Sequence, residues 1–245
     1  MAFVHGTQSR VWLDGKSADC TLNEINMERE IEEAEVTTLC STIKDYVPGL
    51  SEVTVEMEGF FDTNTLSPAL TLEAWMNERL GVTFPFVFAP EGGGQVGDPM
   101  YFMNGFLQTY SVEATVDEAV SMEAEFRATG GLSRGLVVQP LTTQTATDTD
   151  GITFLDGGAA TTAGGSAVLS VAAASGTLPT LAVKLQHSAD NITYADLTGG
   201  AFTSQTTING EIISFTGTVN RYVRAVWTIG GTLPSFTFNV AVRRN

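Results

Sequence analysis

Basic side chains are scarce in this sequence of 245 residues. It holds 12 Lys and Arg against 28 Asp and Glu, which gives a formal net charge of −16. A protein that coats nucleic acid needs a basic face for the phosphates, so this balance excludes that class. Adsorption to anionic lipid is disfavoured for the same electrostatic reason.

Cysteines and long apolar runs are also few. Cys20 and Cys40 are the two cysteines. They are too few for a disulfide scaffold, and we expect both to be small buried side chains. No apolar run approaches the roughly 20 residues of a membrane-spanning helix. The first 16 residues lack a basic segment followed by an apolar one, so the sequence predicts no secretory signal.

Catalytic, phosphate-binding and metal-binding motifs are absent from the sequence or incomplete in it. His5 and His187 have no Ser and Asp neighbours that suggest a catalytic triad. The glycine-rich run 91–97 lacks the Gly-Lys-Ser/Thr of a phosphate-binding loop. The acidic loop that begins at Asp148 has Ala159 where a calcium loop needs a bidentate Glu. We therefore expect no metal, no cofactor and no enzymatic activity.

Charge is distributed unevenly along the chain. Residues 1–145 hold 22 acids and 7 bases, whereas residues 146–245 hold 6 acids and 5 bases. Between the two parts, small polar residues follow Pro140 and have the composition of a linker, because nothing there can be buried to offset the entropy of ordering. The predicted division is a first domain at 1–140, a linker at 141–151 and a second domain at 152–245.

Alternating apolar and polar residues predict that the first domain consists mostly of strands. Ser51–Glu58 alternates without a break, and Tyr110–Val116 and Val120–Phe126 repeat the pattern on either side of a short turn. Counter-charges are nearly absent from the polar faces. Such a face is either an ordinary solvated surface or one that repels phosphate. The acids concerned are Glu52, Glu56, Glu58, Glu113, Glu123 and Glu125.

One helix is predicted, over Ser67–Gly81. Ser67 can cap it, Pro68 suits its first turn, and the glycine lies just past its end. The acid-rich stretch Asn23–Glu35 fits either a helix or a long strand with a loop. Tyr46–Leu50 contains Pro-Gly and is interpreted as a turn.

Four features follow one another in residues 1–130. They are an early strand at Val11–Gly15, a long polar excursion, the run Thr42–Ser51 with Lys, Tyr and Pro-Gly-Leu, and the strand Val53–Asp62, which ends in Gly-Phe-Phe-Asp before the helix. This order resembles that of the major tail tube proteins of long-tailed, siphovirus-type bacteriophages.

The resemblance implies a mainly β fold, a tail-tube-type β-sandwich or barrel with one flanking α-helix. It implies a structural virion protein without enzymatic activity, made in the bacterial cytoplasm and located in the virion tail. Hexameric rings would join their inner sheets into a β-barrel and stack into a tube. Viral DNA would pass through the acidic lumen into the host without specific binding. Implied partners are other copies, the tape measure protein, and the tail terminator and distal tail proteins.

Two sets of residues acquire roles from this resemblance. The six acids named above become candidates for the lumen. Residues 23–45 become the loop that contacts a neighbouring subunit or ring. The candidates for that contact are Glu28, Glu30, Glu32, Glu33 and Tyr46.

Evenly spaced β segments predict that residues 152–245 form a second, Ig-like or jelly-roll-like β-sandwich. Turn signals such as Ser175-Gly176 and Gly230-Gly231 separate the segments. The predicted strands are Ala167–Ala173, Leu181–His187, Glu211–Gly217, Arg221–Ile229 and Ser235–Val242.

Leu181–Leu197, together with Arg221–Val226, resembles accessory β-sandwich modules of phage virion proteins. It is also similar to the Ser-x-Asp-Gly-x-x-Trp and Arg-Tyr-Val-Arg pattern of discoidin-like carbohydrate-binding domains, although Asn191 and Tyr194 replace that Gly and Trp. The first resemblance implies a domain that decorates the tail exterior. The second implies an alternative function, binding of host surface glycans through Tyr194, Asp190 and Arg221.

Two further interpretations, one of the aromatic and one of the acidic residues, stay open. Aromatic residues on alternating strands mostly fill cores, which would leave no exposed platform for a sugar. The aromatics in question are Tyr194, Tyr222, Trp227 and Phe236. An acidic cleft with two Glu side chains would suit a glycosidase, but the Glu-rich strands carry few aromatics on their polar faces.

Overall fold

Antiparallel strands form almost all of the regular structure. The computed structural model describes residues 6–38, 40, 42–61, 65–66, 70–151 and 153–245. A short 3-10 turn at Gly6–Gln8 comes first. The elements up to residue 144 are β1 (Arg10–Leu13), β2 (Lys16–Ser17), β3 (Leu22–Glu35), β4 (Tyr46–Phe60), β5 (Thr65–Leu66), β6 (Leu70–Thr71), α1 (Leu72–Glu78), β7 (Phe84–Ala89), β8 (Pro99–Glu113), β9 (Ser121–Ala128) and β10 (Ser133–Gln144). The later strands are β11 (Leu155–Asp156), β12 (Gly165–Ser188), β13 (Ala195–Ala201), β14 (Asn209–Phe215) and β15 (Tyr222–Arg244).

Thirteen of the described strands hydrogen-bond into one branched sheet. Its main path runs β13-β12-β15-β10-β8-β7-β1-β2, and β3, β4 and β9 join it at β8. Strands β5 and β6 pair separately. Within the described residues α1 is the one α-helix, so the prediction of a mainly β fold with a flanking helix is confirmed.

Three clusters of buried apolar side chains form the cores of the protein. The first packs α1, β1 and β7 against β4 and β9, with the rings of Trp75 and Phe84 at 5.1 Å between centroids. The second fills the C-terminal part around Phe236 and Phe238, both fully buried. The third joins the two parts through Trp12 and its neighbours. Strand alternation explains these cores, because every second side chain of a strand faces the same side.

Helix α1 is shorter than its prediction. It begins at Leu72, and the Thr71 hydroxyl accepts a hydrogen bond from the Ala74 backbone N–H at 3.1 Å. That bond satisfies a first-turn donor and makes Thr71 the N-cap. The predicted start at Ser67 and Pro68 lies outside the described residues.

Strands β3 and β4 form a long hairpin. The sequence left Asn23–Glu35 open between a helix and a long strand with a loop, and the segment lies in strand β3. The predicted turn at Tyr46–Leu50 is wrong, because Tyr46 pairs with Glu35 and the segment opens β4. Pro48 is tolerated within the strand because it lies at a register shift, where a missing backbone donor is least costly.

Part of the predicted linker at 141–151 is a strand. Strand β10 continues to Gln144 and pairs with β15, and the hydroxyls of Thr143 and Thr237 lie 2.7 Å apart. Farther along, Trp227 donates its indole N–H to the Ala146 carbonyl at 3.0 Å. Backbone pairing thus orders a segment whose small side chains bury little. The bounds of two domains stay a prediction.

Two predicted turns in the C-terminal part are also wrong. Ser175-Gly176 lies inside β12 and Gly230-Gly231 lies inside β15, and the two strands pair from Gly165 opposite Arg244 to Ser188 opposite Tyr222. Register shifts in the middle of the pair absorb the glycines without ending either strand.

The cysteines are exposed rather than buried. Cys20 follows Asp19 in a turn, and Cys40 lies in the connection between β3 and β4. Neither residue belongs to a strand with a face toward a core, which explains why the expected burial is wrong.

Candidate functional site

A four-stranded sheet stands out by the contrast between its two faces. Strand β3 pairs with β4, β4 pairs with β9, and β9 pairs with the second half of β8, Gly105–Glu113. One face is apolar: Val55, Met57 and Phe126 on it are buried in the first core. The opposite face is polar and open to solvent.

Carboxylates face each other across strands on the polar face. Glu56 is paired directly with Glu125, and Glu58 with Glu123. Directly opposite side chains of an antiparallel pair have Cβ atoms about 5 Å apart. A depression of about 260 Å³ lies over these four carboxylates and the hydroxyls of Thr109 and Ser111.

Arg127 is the cation that contacts this face. Its Nη1 lies 3.0 Å from Oε1 of Glu52, and its Nη2 lies 3.3 Å from Oε1 of Glu125. The Asn26 amide donates to Oε2 of Glu56 at 3.4 Å. Among the described residues, no Lys or Arg nitrogen lies within 4.0 Å of the carboxylates of Glu58 and Glu123. The face therefore carries a clear excess of negative charge.

The register brings all six acids of the lumen prediction onto one face. Glu52, Glu56 and Glu58 alternate along β4, and Glu123 and Glu125 alternate along β9. Glu113 lies on β8 two residues beyond Ser111, the partner of Glu123. Their role in a lumen stays a prediction.

Sequence reasoning missed two members of this face. Glu24 lies opposite Glu58, which lines the depression. Arg127 supplies positive charge to this face through its ion pair with Glu52. Glu24 could have been found from the sequence, because Glu24, Asn26 and Glu28 are spaced two residues apart and share one face of a strand. For Arg127 the signal was its position two residues after Glu125.

The far half of the β3–β4 hairpin projects as an arm, which we define as residues 28–52. Every described residue in the arm is exposed. Apolar side chains are among them, with Ile31 52%, Ile43 79% and Leu50 78% exposed. Near the tip Lys44 lies 2.9 Å from Glu35, and this hydrogen bond lowers the pKa of that carboxyl.

The predicted contact loop at 23–45 is therefore mostly strand. Its candidates lie on the two strands of the arm, because the acids pair with residues of β4 instead of forming a loop. Glu28 and Glu30 lie opposite Thr54 and Glu52, so they extend the acidic face. The five candidates are Glu28, Glu30, Glu32 and Glu33 in β3 and Tyr46 at the start of β4.

Both edges of the four-stranded sheet are open. Within the described residues, β3 pairs with β4 alone, and Gln108–Glu113 of β8 pairs with β9 alone. Open edges present unpaired backbone donors and acceptors, which are templates for a strand of another chain.

Two glycan candidates in the C-terminal part are engaged in local structure. Asp190 accepts hydrogen bonds from the backbone N–H groups of Thr193 and Ile192, both at 2.9 Å. These bonds lower the pKa of Asp190 to about 2 and hold a tight turn. Arg221 forms two 2.7 Å bonds to Asp156, and they lower the pKa of Asp156 to about 2.

Tyr194 is engaged as well. The Arg224 guanidinium lies 3.9 Å from its ring centroid, and its hydroxyl donates to the Asn191 side chain. Of the four aromatics that were expected to fill a core, Trp227 and Phe236 are buried, whereas Tyr194 and Tyr222 are only half-buried. Glycan binding through Tyr194, Asp190 and Arg221 stays a prediction.

Other functional groups are few in the described part of the chain. It holds no cluster of three or more His, Cys, Asp or Glu that could bind a metal ion. None of its helices has the length and apolar character needed to cross a membrane. His5 lies outside the described residues, and burial lowers the pKa of His187.

Comparisons with known proteins return structures of low similarity. No family model and no curated protein matches the sequence. A protein in the virion of a native gene transfer agent particle has a TM-score of 0.42 at 14% identity, over 53% of this chain and 97% of that one. The SPP1 tail tube protein has a TM-score of 0.43 at 10% identity, over 54% and 78%. The SPP1 Dit protein, from a hub of adsorption apparatus, has 0.36 at 12% identity, over 96% and 99%. These scores are too low to assign a function to the chain.

Proposed function

We propose that the chain is a structural subunit of a phage-type tail tube, in which copies join edge to edge around an acidic channel. One observation carries this proposal: the same four-stranded sheet has an acid-rich face and two open edges. An acidic surface alone would suit any soluble protein, and an open edge alone would suit any strand-pairing partner. Their combination suits a ring with a negatively charged bore.

Strand direction supports edge-to-edge joining. Successive strands in the order β3, β4, β9 and β8 are antiparallel, so β3 and β8 run in opposite directions. Strand β3 of one copy can therefore add to Gln108–Glu113 of the next copy as one more antiparallel pair. Such a head-to-tail contact closes into a ring when its rotation closes, and a closed ring removes the exposed edges. The hexamer implied by the sequence resemblance is one such ring.

The distribution of side chains supports an inward acidic face. The apolar face is covered by α1 and the first core, which leaves the carboxylate face free to line a channel. DNA carries a negative charge on every phosphate, and an acidic wall offers it no salt bridge. DNA could then pass without being held.

The arm supplies a second kind of contact in this proposal. Its exposed Ile43 and Leu50 would be covered by a neighbouring subunit or ring, which removes apolar surface from water. The C-terminal part, residues 152–245, would lie outside the tube. The tape measure protein and the terminator and distal tail proteins would meet the lumen and the tube ends.

Negative-stain electron microscopy of the purified full chain at high concentration tests the proposal. We expect hollow stacked rings or tubes. A matched variant, Val112→Pro, removes a backbone donor that points away from β9 at the open edge of β8 and should not form rings. Compact single subunits at every concentration, in the wild type as in the variant, would contradict the proposal.

A further inference from the structure

The two longest strands carry nearly the same pentapeptide near their midpoints. Strand β12 contains Gly176-Thr-Leu-Pro-Thr180, and β15 contains Gly231-Thr-Leu-Pro-Ser235. The strands are antiparallel and Thr177 lies opposite Thr232, so the two motifs face each other about an approximate local twofold axis. We call this pair of motifs the knuckle.

Each motif extrudes its Leu-Pro pair from the ladder. The register runs from Ser175 opposite Ser235 to Thr177 opposite Thr232, which leaves two residues of β15 unpaired there. The next step, to Thr180 opposite Gly230, leaves two residues of β12 unpaired. Apart from Gly176 and Gly231, which lie opposite the bulges, the unpaired residues are Leu233 and Pro234 in β15 and Leu178 and Pro179 in β12.

The extruded leucines have an uncommon backbone conformation. Leu178 and Leu233 both have φ of 49°, in the left-handed region that residues with a Cβ rarely adopt. A Cβ at Gly176 would lie 2.7 Å from the Leu233 carbonyl oxygen, and one at Gly231 would lie 2.6 Å from the Leu178 carbonyl oxygen. Each glycine therefore admits the bulge of the opposite strand.

Neither leucine contributes to a core. Leu178 is 84% exposed and Leu233 is 88% exposed. A bulge of this shape would accept Gly or Asn with less strain and no exposed apolar surface. Strained residues that persist away from the core point to a function for their side chains.

The surroundings of the knuckle lack charge. No Asp, Glu, Lys or Arg occurs in residues 138–147, 173–183 or 225–242, although the whole chain has a net charge of −16. Beside the knuckle, a depression of about 370 Å³ is lined by apolar side chains that include Phe202 and Trp227, with Asp148 and Lys184 among its polar groups.

We infer that the knuckle is a self-association site for a second copy of this chain. Two copies repel each other wherever their acid-rich parts approach. The knuckle has no charged residue, and the depression beside it carries one acid and one base, so this surface lacks that net repulsion. An isologous contact needs a surface that complements itself, and this surface combines protruding leucines with a depression that Phe202 and Trp227 help to line. In the pair, Leu178 and Leu233 of each copy pack against the knuckle and depression of the other. The contact uses neither the sheet edges nor the arm, so it does not depend on the proposed ring.

Sedimentation velocity of the full chain over a range of concentrations tests this inference. The variant is Leu178→Asn with Leu233→Asn, because Asn tolerates the left-handed conformation and should keep the fold. The control is Ile192→Asn, which removes an apolar side chain that is 83% exposed in the same part of the chain. At concentrations too low for rings, we expect the double variant to have about half the mean mass of wild type, as loss of a twofold contact requires, and the control to match wild type.

Equal masses for wild type and the double variant would overturn the inference. A second pair, Leu178→Gly with Leu233→Gly, serves if circular dichroism shows that the Asn variant is unfolded. Electron microscopy of the same samples separates this test from that of the ring. Rings without a halved mass contradict only the knuckle, and a halved mass without rings contradicts only the tube.

Discussion

Glu56 and Glu125 lie directly opposite each other on adjacent strands of the four-stranded sheet. Directly opposed like charges destabilise a sheet, and Arg127 contacts only the second of these two carboxylates. The neighbouring pair, Glu58 and Glu123, repeats the arrangement. We expect a sheet to keep such mutually repelling carboxylates when they act on another molecule.

Neutralising one member of the pair should therefore stabilise the isolated subunit. We expect Glu56→Gln to raise the free energy of unfolding by about 0.5 kcal/mol at neutral pH and low salt. Urea denaturation measures the change, which should shrink as salt screens the repulsion. The control is Glu118→Gln in an exposed turn, which should have no effect. A Glu56→Gln variant no more stable than wild type at low salt would contradict this account of the face.

Reversing charge on the same face tests the proposed passage of DNA. In Glu56→Lys with Glu123→Lys, each new Lys faces a remaining Glu across the strands, namely Glu125 or Glu58. The fold and ring should persist, but a wall that binds phosphate should impair DNA ejection. Ejection assays on particles that carry the variant check this outcome.

The matched control for that experiment is Glu91→Lys with Glu118→Lys, which makes the same change of net charge on exposed residues of two turns. It should eject DNA normally. Normal infection by the Glu56 and Glu123 variant would remove the support for a lumen.

The acidic face could be predicted because strand alternation is local. Ser51–Glu58 shows its two faces in eight consecutive residues, with no knowledge of a partner strand. The opposition of Glu56 to Glu125 could not be predicted, because it depends on the register between β4 and β9, which are far apart in sequence.

The arm and the knuckle could not be predicted from the sequence, for different reasons. Acids at both Glu32 and Glu33 break the alternation of β3, so only its pairing with β4 identifies the strand. Gly176 indicates a turn by its residue type, and it does adopt a left-handed conformation, with φ of 117°. Pairing with β15 on both sides makes that conformation a bulge rather than a chain reversal.

Thiol labelling should report whether the arm is covered in an assembly. Cys40 is exposed in the arm, so in a Cys20→Ser background it should react quickly with a maleimide in the isolated subunit. Its reaction should become much slower in assembled tubes, where a neighbour covers the arm. The complementary Cys40→Ser background reports Cys20 and separates arm protection from general loss of reactivity. Equal Cys40 rates before and after assembly would contradict the proposed arm contact.

The backbone strain of the knuckle has its own consequence for stability. Leu178→Asn should raise the free energy of unfolding by about 1 kcal/mol, since the left-handed conformation is costly for Leu and mild for Asn. The matched control is Val116→Asn, at a side chain that is 87% exposed. Denaturant unfolding of monomeric samples measures both. An equal effect of the two substitutions would show that exposure, not backbone conformation, decides the change.

Acid should weaken the C-terminal part through Asp156. Its two hydrogen bonds from Arg221 lower its pKa from 3.8 to about 2 in the folded chain. A folded-state pKa below the unfolded value means that the contribution is fully present above pH 3.8 and is lost as the pH falls toward about 2. The difference in melting temperature between wild type and Asp156→Asn should therefore be constant near neutrality and disappear over that acidic window. Arg221→Gln should show the same pH profile, because it removes the same pair from the other side. A difference that persists unchanged to pH 2 would mean that Asp156 stabilises the chain by some means other than its charge.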